Sequence, residues 1–431
     1  MRQLSFVWRL LFITVVAWWT VARYAVGRFG LVFVRDAEKK RAGIARLRGR
    51  VLSWAMATLG ATFVKLGQVM SSRPDLFEPE MIAELRRLQD RMPAFDFELV
   101  RRTIEADLGG KMADHFAEVS PRPIAAASVA QVHRAKLVDG RDVAIKVLRP
   151  DVRERATRDG SVMIFAARVL ALIPSAKRSD PVGHMEHFVA GIVEQTDLRR
   201  EAQNYARFHE NFKGFEGIRF PTVFADKSSE RILAMEFVEG TKVDELGPGD
   251  HQLLATRLQR CYLKMCFEDG FVHADLHPGN FVINGSEVII FDVGLVKALD
   301  DSLLDEYIDF NKCLAMGTTA DVVHHLQTYH RYMAGSVDWP SLSADLEVLT
   351  SSFRGKPMEE IELGKIIGDM FAIGRKHGIR PRAEMALLMV AGVTSEGVAK
   401  MINPKADSFG DIAAFLMPII VARGLATPPG A

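Results

Sequence analysis

Residues 273–280 and 292–294 contain the side chains whose types and spacing could do chemistry. Asp275 and Asn280 stand at D-x-x-x-x-N spacing, and Asp292 follows twelve residues later in a D-x-G turn. A first carboxylate can orient or deprotonate an acceptor hydroxyl, while an amide and a second carboxylate supply the hard oxygen ligands that Mg²⁺ prefers. The spacing therefore predicts phosphoryl transfer from a magnesium-bound nucleotide, with Asp275 as the catalytic residue and Asn280 and Asp292 as metal ligands.

The segment between Asn280 and Asp292 predicts a β-hairpin. Two apolar runs, Phe281–Ile283 and Val288–Phe291, flank Asn284-Gly285, a pair typical of a tight hairpin turn. Such a hairpin would put Asn280 and Asp292 at the two ends of one short ribbon, close enough to share a metal ion.

A phosphate-binding lysine is also present upstream. Asp142–Val147 alternates polar and apolar residues, which predicts a half-buried strand carrying Lys146 near its end, as in the V-A-I-K strand of kinases. The partner of this lysine is expected to be Glu201 on a following long helix. Asp197 lies four residues before Glu201, so we expect both acids on one helix face.

The loop before this strand differs from that of protein kinases. Where a glycine-rich phosphate loop would stand, the chain has Pro123-Ile124 followed by Ala125, Ala126, Ala127 and Ser128. Alanine restricts the backbone choices that glycine leaves open, so the loop cannot easily wrap phosphates with positive φ angles. We expect these four residues to contact the nucleotide, and their composition argues against an ordinary protein kinase.

A further motif lies far upstream, where Lys65 and Gln68 form a K-x-G-Q sequence. With the alanine loop and the motifs around Asp275 and Asp292, it gives the chain a clear resemblance to the ABC1/UbiB/ADCK (AarF-type) family of atypical protein-kinase-like enzymes. The resemblance runs from about residue 51 to about residue 400, with the motifs in family order.

The resemblance implies a fold and a set of roles. The fold is α+β, a bilobal protein-kinase-like architecture with a helical N-terminal extension that carries the K-x-G-Q motif. Lys65 and Gln68 would lie over the active site and occlude it. The cofactors would be ATP or ADP with Mg²⁺, and the backbone around Glu236 and Val238 would be the hinge that holds adenine. Lys146 would contact phosphates.

One position departs from the family pattern. Many members have E-x-D before the helix glutamate, whereas this chain has Gln195-Thr196-Asp197. If the first acid of that motif pairs with the K-x-G-Q lysine, a neutral Gln195 would weaken the contact with Lys65. We therefore treat Lys65, Gln68, Gln195 and Asp197 as a regulatory set.

Composition is that of a globular protein. The 431 residues are 48% hydrophobic and 25% charged with a net charge of +1, so no general attraction to nucleic acid is expected. Cys261, Cys266 and Cys313 lack C-x-x-C spacing and are expected to be buried thiols in a reducing compartment. We expect the histidines at 324, 325 and 330 to lie on the surface, although their helical spacing could also suggest a metal.

Charge is concentrated at the N-terminus. Residues 1–50 contain eleven Lys or Arg and two acids, a net charge of +9, so the remainder carries −8. Within this arm Leu10–Ala22 is uncharged and holds Trp18 and Trp19. Thirteen residues are too few to span a bilayer, and an interfacial helix on an anionic leaflet fits better. The two other interpretations of this arm are a cleaved signal peptide and a core helix of the extension.

The chain is expected to divide into five parts. These are a basic membrane-interface arm at 1–50, the helical extension at 51–115, the kinase-like N-lobe at 116–240, the helical C-lobe at 241–403 and a tail at 404–431. Within the N-lobe, the pattern predicts a helix over Ser161–Ile173 and a single long helix over Gly183–Phe212.

Three functional classes are compatible with these patterns. The first is a cytoplasmic, membrane-peripheral atypical kinase or ATPase that supports isoprenoid quinone or other lipid metabolism, with a lipid or small-molecule acceptor and lipid-biosynthesis proteins as partners. The second is a small-molecule phosphotransferase of the aminoglycoside or choline type, against which the K-x-G-Q motif and the alanine loop count. The third is a nucleotide-dependent pseudokinase scaffold. A peptide kinase is disfavoured, because no long activation segment or A-P-E sequence follows Asp292.

Overall fold

The structure is a computed structural model that describes residues 2–89, 93–172, 181–247, 251–332, 336–354, 356, 361–404, 414–415, 417–419 and 421. The chain divides into two compact units. Unit 1 comprises residues 1–203 and 222–237, and unit 2 comprises residues 204–221 and 238–431. The predicted tail at 404–431 lies almost entirely outside the described residues.

Helices dominate both units. Over the described residues the α-helices are, in chain order, α1 (Arg2–Gly30), α2 (Ala37–Leu59), α3 (Ala61–Ser71), α4 (Pro79–Arg86), α5 (Phe97–Leu108), α6 (Met112–His115), α7 (Val152–Leu170), α8 (Pro181–Glu194), α9 (Leu198–Asn211), α10 (Gln252–Phe267), α11 (Asp301–Met316), α12 (Thr319–Tyr329), α13 (Trp339–Phe353), α14 (Leu363–His377) and α15 (Ala383–Ile402).

The strands are short. They are β1 (Phe116–Val119), β2 (Ala125–Ala126), β3 (Ala130–Leu137), β4 (Asp142–Leu148), β5 (Ile218–Arg219), β6 (Ile232–Glu236), β7 (Phe271–His273), β8 (Phe281–Asn284), β9 (Glu287–Ile290) and β10 (Val296–Ala298). Unit 1 holds an antiparallel sheet in the order β1-β3-β4-β6, with β2 paired to β3. In unit 2, β9 lies between β5 and β8, and β7 pairs with β10.

Strand β4 is more buried than its pattern predicts. The sequence suggests a half-buried strand, but every residue from Val143 to Leu148 is buried. Helix α5 covers one face, where its Val100 and Ile104 pack against Val143, Ile145 and other strand residues. Lys146 is on the other face, and it lies within the strand, two residues before the end of β4 at Leu148.

The helices of the extension share a second core in unit 1. It joins α1, α2, α3, α4 and α7 through the buried residues Val16, Ala55, Met56, Leu59, Phe63, Met81, Leu85 and Met163. The glycine of the K-x-G-Q motif is a packing residue here, because a Cβ on Gly67 would lie 2.7 Å from Sδ of Met56 and would also meet Leu88. Any larger residue at this position would require the side chains of Met56 and Leu88 to move.

Two helix predictions are wrong in their boundaries. The predicted single helix Gly183–Phe212 is two helices, α8 and α9, which are separated by Gln195–Asp197. The main-chain N–H of Leu198 donates to the carbonyl of Glu230 at 2.8 Å, a distant partner that a local pattern cannot reveal. The helix expected to begin at Ser161 begins nine residues earlier, at Val152.

Burial of the three cysteines is confirmed, whereas the prediction for the histidines holds in part. Cys261, Cys266 and Cys313 are free, buried thiols. His324 is exposed, but His325 is only 1% exposed and lies between α11 and α12.

Candidate functional site

Lys146 and Glu201 form a buried ion pair within unit 1. The Nζ of Lys146 donates to both carboxylate oxygens of Glu201 at 2.9 Å, and the two side chains are 10% and 6% exposed. Strand β4 holds the lysine between Val132 of β3 and Leu233 of β6, and the first turn of α9 holds the glutamate. The sheet and the helix together therefore fix the lysine ammonium in one place.

The catalytic-loop residues lie in unit 2, just after β7. The side chain of Asp275 is exposed, and its main-chain N–H donates to Nδ1 of the buried His273 at 3.1 Å. A short 3₁₀ turn, Pro278–Asn280, then leads into β8. The Nδ2 of Asn280 donates to the carbonyl of Asp275 at 2.9 Å, so this bond closes the loop.

The predicted hairpin is present, but the two candidate metal ligands lie at the same end of the ribbon and not at its two ends. Strands β8 and β9 pair from Phe281 opposite Ile290 to Asn284 opposite Glu287. One residue beyond the ladder, the N–H of Phe291 donates to the carbonyl of Asn280 at 2.8 Å. Asn280 and Asp292 are therefore both at the open end of the hairpin.

The backbone of Asp292 is held in an unusual conformation. Its φ is 59°, a left-handed value that costs most non-glycine residues about 1–2 kcal/mol, with Asn and Asp the best tolerated. Two buried side chains fix it: the hydroxyl of Tyr205 accepts from the N–H of Asp292 at 3.0 Å, and Nε2 of His273 donates to its carbonyl at 3.1 Å. Asn204 also donates to the carbonyl of Val293 at 2.9 Å. These contacts hold the backbone of Asp292 and Val293 in place.

Sequence reasoning missed these three supporting residues. His273 stands in an H-x-D sequence, and Asn204 and Tyr205 follow Glu201 at helical spacing. The spacing of Asn204 and Tyr205, three and four residues after Glu201, is the sequence signal that could have identified these two residues. Burial lowers the pKa of His273, so its ring is neutral, with a proton on Nε2 and a lone pair on Nδ1.

The donor set suits a hard cation. The amide nitrogen of Asn280 is occupied by the carbonyl of Asp275, which leaves Oδ1 available as a ligand. The carboxylate of Asp292 is exposed. Amide and carboxylate oxygens are the ligands that Mg²⁺ takes, usually alongside water and phosphate oxygens. The residues at the open end of the hairpin therefore fit magnesium.

The alanine loop is extended. Ala125 and Ala126 form β2 opposite Val132 and Gln131, and Ser128 is buried. The loop is tied to the end of β4, because Nε of Arg149 donates to the carbonyl of Ala127 at 2.9 Å. No residue of this loop is among the positive-φ residues of the described chain. The loop thus offers few of the inward-pointing N–H groups of a phosphate nest.

Lys65 lines a cavity of about 350 Å³ within unit 1. The cavity lies beside the alanine loop, where Val129 contributes to its wall. Its charged lining residues are Arg9, Lys65, Arg149, Arg155, Arg158 and Asp159. Five cations against one acid give the cavity a positive potential. Gln68 is half-buried on the same helix, and its carbonyl accepts from the hydroxyl of Ser71.

Asp197 is placed differently from the sequence expectation. It precedes α9 and does not share a helix face with Glu201: its Oδ1 accepts from the main-chain N–H of Arg199 at 3.1 Å, and both its oxygens bind the guanidinium of Arg199. These bonds to Arg199 hold its pKa below the usual range. Gln195 is half-buried in the turn between α8 and α9.

The predicted hinge coincides with a division of the chain. Glu236 ends β6, opposite Val143 of β4, and its N–H donates to the carbonyl of Thr222 at 2.8 Å. The chain leaves unit 1 after Phe237, so that Val238 begins the last part of unit 2.

Helix α1 presents an exposed apolar surface and a docked face. Trp18 and Trp19 are 64% and 51% exposed, whereas Val16 is buried in the extension core. Arg9 makes two bonds to the carboxylate of Asp159, at 2.7 and 2.8 Å, and a third to the carbonyl of Leu59. The interpretation of α1 as a core helix of the extension is therefore correct for one face. No other described residues cover its remaining faces.

Two helices of the described chain are long and apolar enough to cross a membrane, judged by length and composition alone. They are Val7–Phe33, of whose apolar window 6% is buried, and Ala383–Ile402, with 61%. The second passes the test as a core helix, because Met385, Ala386 and Leu388 are buried. The first extends well beyond the uncharged run Leu10–Ala22 on which the sequence expectation rested.

Comparisons with known proteins identify the family of the chain. The family model of the ABC1 atypical kinase-like domain matches residues 87–326, and that of the UbiB helical domain matches residues 346–407. The chain is 30% identical over 401 residues to a protein named "Probable protein kinase UbiB" from Aliivibrio fischeri, covering 90% of this chain and 73% of the relative. It is 31% identical over 380 residues to the protein of the same name from Vibrio atlanticus, covering 85% and 70%.

A solved structure shows the same fold. It is the erythromycin complex of Rv3197 from Mycobacterium tuberculosis, with a TM-score of 0.55 and 21% identity over 82% of this chain and 91% of that one. The kinase-like α+β fold with a helical N-terminal region is thereby confirmed, as is the family resemblance. The chain belongs to the ABC1/UbiB family of atypical kinase-like proteins.

Proposed function

We propose that the protein is a membrane-associated atypical kinase or ATPase that uses Mg-ATP in support of isoprenoid quinone or other lipid metabolism. The observation that carries this proposal is the buried ion pair in which Lys146 donates to both carboxylate oxygens of Glu201. A lysine held in this way matches the phosphate-binding lysine of kinases, whose pairing with a helix glutamate is a condition of activity.

Each residue has a proposed role. Lys146 contacts the nucleotide phosphates, and Glu201 positions it. Asp275, whose side chain is exposed, accepts the proton of the acceptor hydroxyl or of water. Asn280 and Asp292 hold Mg²⁺, which supplies charge screening for the phosphates when bound. His273 and Tyr205 are positioning residues that hold the backbone of Asp292.

The proposed acceptor is a small molecule or a lipid. The chain passes from Asp292 to the start of α11 at Asp301 with the short strand β10 between them. This leaves no room in the sequence for the activation segment on which protein kinases seat a peptide. The two relatives cited above are named probable protein kinases, so turnover on peptides is the alternative that the experiments must address.

Association with an anionic leaflet is proposed from α1 and its charge. The helix exposes large apolar residues along most of its length, including Trp8, Val15, Trp18, Trp19, Val26 and Phe29. Residues 1–50 carry a net charge of +9, and each basic residue near an anionic surface adds about 1 kcal/mol of attraction. We place the catalytic units on the cytoplasmic side, peripheral to the membrane, where ATP is available.

The test is phosphate release from ATP by the full-length protein, with and without anionic vesicles. We expect slow basal turnover that requires Mg²⁺ and rises with vesicles, and a loss of Mg²⁺-dependent nucleotide binding in Asp292→Asn. Asparagine tolerates the left-handed backbone of this position, so the variant tests the ligand rather than the fold. Asp292→Asn that binds Mg-ATP like the parent would refute the metal assignment. Nucleotide binding without any turnover would instead favour a pseudokinase scaffold.

A further inference from the structure

Unit 2 contains a cluster of metal-ligand side chains outside the nucleotide-binding residues. Asp309 and Cys313 lie one turn apart on α11, and His325 faces them from α12. One donor atom from each residue lies within 4.8 Å of the other two. The Nδ1 of His325 is 2.7 Å from Oδ2 of Asp309, and Sγ of Cys313 is 3.8 Å from the same oxygen.

The cluster has unused donor atoms in a buried place. His325 is 1% exposed and Cys313 is 8% exposed, whereas the side chain of Asp309 is 36% exposed. Nε2 of His325 and Nδ1 of His330 are buried and have no hydrogen-bond partner among the described residues. The two imidazole rings are 5.5 Å apart. Buried polar atoms without partners cost about 1–3 kcal/mol each, and a cation or an ordered water beside these two nitrogens would remove that cost.

The protonation states suit a ligand role for the histidines. Burial lowers the pKa of His325, and burial together with the neighbouring His325 lowers that of His330 to about 3. Both imidazoles are therefore neutral near pH 7, with lone pairs available. Burial and the nearby carboxylates of Asp309 and Asp321 raise the pKa of Cys313 to about 12, a penalty on the thiolate that a bound cation would offset.

The geometry points to a zinc site formed by Cys313, His325 and Asp309. Thiolate sulfur with imidazole nitrogen is a ligand set for Zn²⁺, whereas Mg²⁺ takes oxygen ligands. Three protein ligands leave the fourth tetrahedral position for water, and the unpartnered Nδ1 of His330 is a further donor close by. Binding would release the proton of the Cys313 thiol to solvent. The site would clip α11 to α12.

The competing reading is a simple hydrogen bond between His325 and Asp309 beside an inert thiol. Binding of Co²⁺ to the full-length protein distinguishes the zinc site from the simple hydrogen bond. Co²⁺ serves as a spectroscopic substitute for Zn²⁺. A zinc-type site gives about one Co²⁺ per chain, tetrahedral visible bands and a sulfur-to-cobalt charge-transfer band, and one proton released per metal.

Variants locate the site. Cys313→Ser should abolish the charge-transfer band, and His325→Asn should weaken binding by at least about tenfold. His324→Asn, on the exposed neighbouring position, and Cys261→Ser, on a buried thiol of α10, should both bind like the parent. An excess of Mg²⁺ should leave the band unchanged, since the cation proposed for Asn280 and Asp292 does not compete for sulfur.

The cobalt spectra test the zinc site independently of the proposed nucleotide function. Protein without a charge-transfer band, or with the same band in Cys313→Ser, overturns the site. Because these results come from the spectrum of the parent and a conservative Cys→Ser change, they stand even if His325→Asn fails to fold. Loss of ATP turnover in Asp292→Asn with an unchanged cobalt spectrum would separate this site from the proposed nucleotide function.

Discussion

The Nε2 of His273 donates a hydrogen bond to the main-chain carbonyl of Asp292 at 3.1 Å. Its Nδ1 accepts from the main-chain N–H of Asp275 at 3.1 Å. One neutral, fully buried ring thus joins the loop of the proposed catalytic aspartate to the turn of the proposed metal ligand. Any movement of that ring would change both backbones together.

We expect His273→Phe to weaken Mg²⁺-dependent nucleotide binding more than it weakens folding. The variant keeps a ring in the buried space but removes both hydrogen bonds, and loss of outer contacts to metal ligands typically costs about 10–100-fold in metal affinity. A Mg²⁺ titration of ATP binding and turnover measures this effect. His324→Ala is the control, because that ring is exposed and lies on α12, outside both loops. Equal Mg²⁺ dependence in parent and His273→Phe would refute the positioning role.

Glu201→Gln should be strongly destabilising because it leaves the ammonium of Lys146 buried without a charge partner. Breaking a buried ion pair on one side costs about 3–5 kcal/mol of unfolding free energy. Urea denaturation measures it, and Lys146→Met combined with Glu201→Leu should recover much of the stability without recovering turnover. The control is Glu194→Gln, whose pair with Arg200 is exposed and worth less than about 1 kcal/mol. Similar losses in the two glutamate variants would show that the Lys146 pair is not buried in solution.

Arg9→Ala should destabilise unit 1, because it removes two hydrogen bonds to the buried carboxylate of Asp159. Other cations line the same cavity, so the expected loss is about 1.5–3 kcal/mol, and Asp159→Asn should recover part of it. Arg46→Ala, an exposed arginine of α2, is the matched control. Deletion of residues 1–34 would also uncover the extension core around Val16, so we do not expect it to leave a stable nucleotide-binding core. A truncated protein with the unfolding midpoint of the parent would contradict this docking.

The exposed face of α1 offers a gentler test of membrane contact. Trp18 and Trp19 are more than half exposed and are not part of the extension core, so Trp18→Ser and Trp19→Ser should change folding little. We expect the double variant to sediment less with anionic vesicles, and the parent to be released progressively as salt screens the attraction. Should the variant and parent sediment alike at every salt concentration, membrane contact lies elsewhere in the chain.

Substitution of glycine for alanine tests whether the alanine loop contacts the nucleotide phosphates. Ala126→Gly should free the backbone of β2 and change the preference between ATP and ADP, or raise autophosphorylation, at a cost of about 0.5–1 kcal/mol in local order. Isothermal titration of the two nucleotides measures the preference in parallel variants at Ala125, Ala126 and Ala127. Identical preferences across the series would mean that this loop does not contact phosphate.

Coupling between Lys65 and Gln195 can be measured directly. Gln195→Glu adds a carboxylate at the position where many family members have an acid, and we expect it to lower autophosphorylation if it pairs with Lys65. Removing Lys65 should abolish this effect, and a double-mutant cycle gives the coupling energy. A coupling of zero would exclude the pairing and leave Lys65 as a cationic wall residue of the cavity.

The features that sequence reasoning predicted well are local or depend on strong motifs. The hairpin from Phe281 to Ile290 follows from two apolar runs and a turn, and the candidate partner Glu201 follows from motif order. The full burial of β4 could not be predicted, because it depends on α5 packing across the sheet. The break before Leu198 depends on a carbonyl 32 residues away.

The cluster at Asp309, Cys313 and His325 shows the same limit. Spacing within α12 favours surface histidines, because that helix has no cysteine and its acid, Asp321, caps the N-terminus of the helix. The missing groups come from α11, at helical spacing of four residues, and only the packing of two helices brings the three together. Residue spacing within one helix or strand can predict ligands on that element alone. A site formed between two elements can be identified only once the fold is known.

The bond from the N–H of Leu198 to the carbonyl of Glu230 has a consequence for inhibitor selection. In protein kinases the glutamate-bearing helix must be in place for activity, so a compound that held this helix outward would inhibit the enzyme. Here the first turn of that helix is fastened by its main chain, and the adjoining Arg199 and Arg153 both pair with the side chain of Glu230. A compound of that type would have to break these contacts as well as the lysine pair. Screening against this protein is better directed at ligands that leave the helix in place.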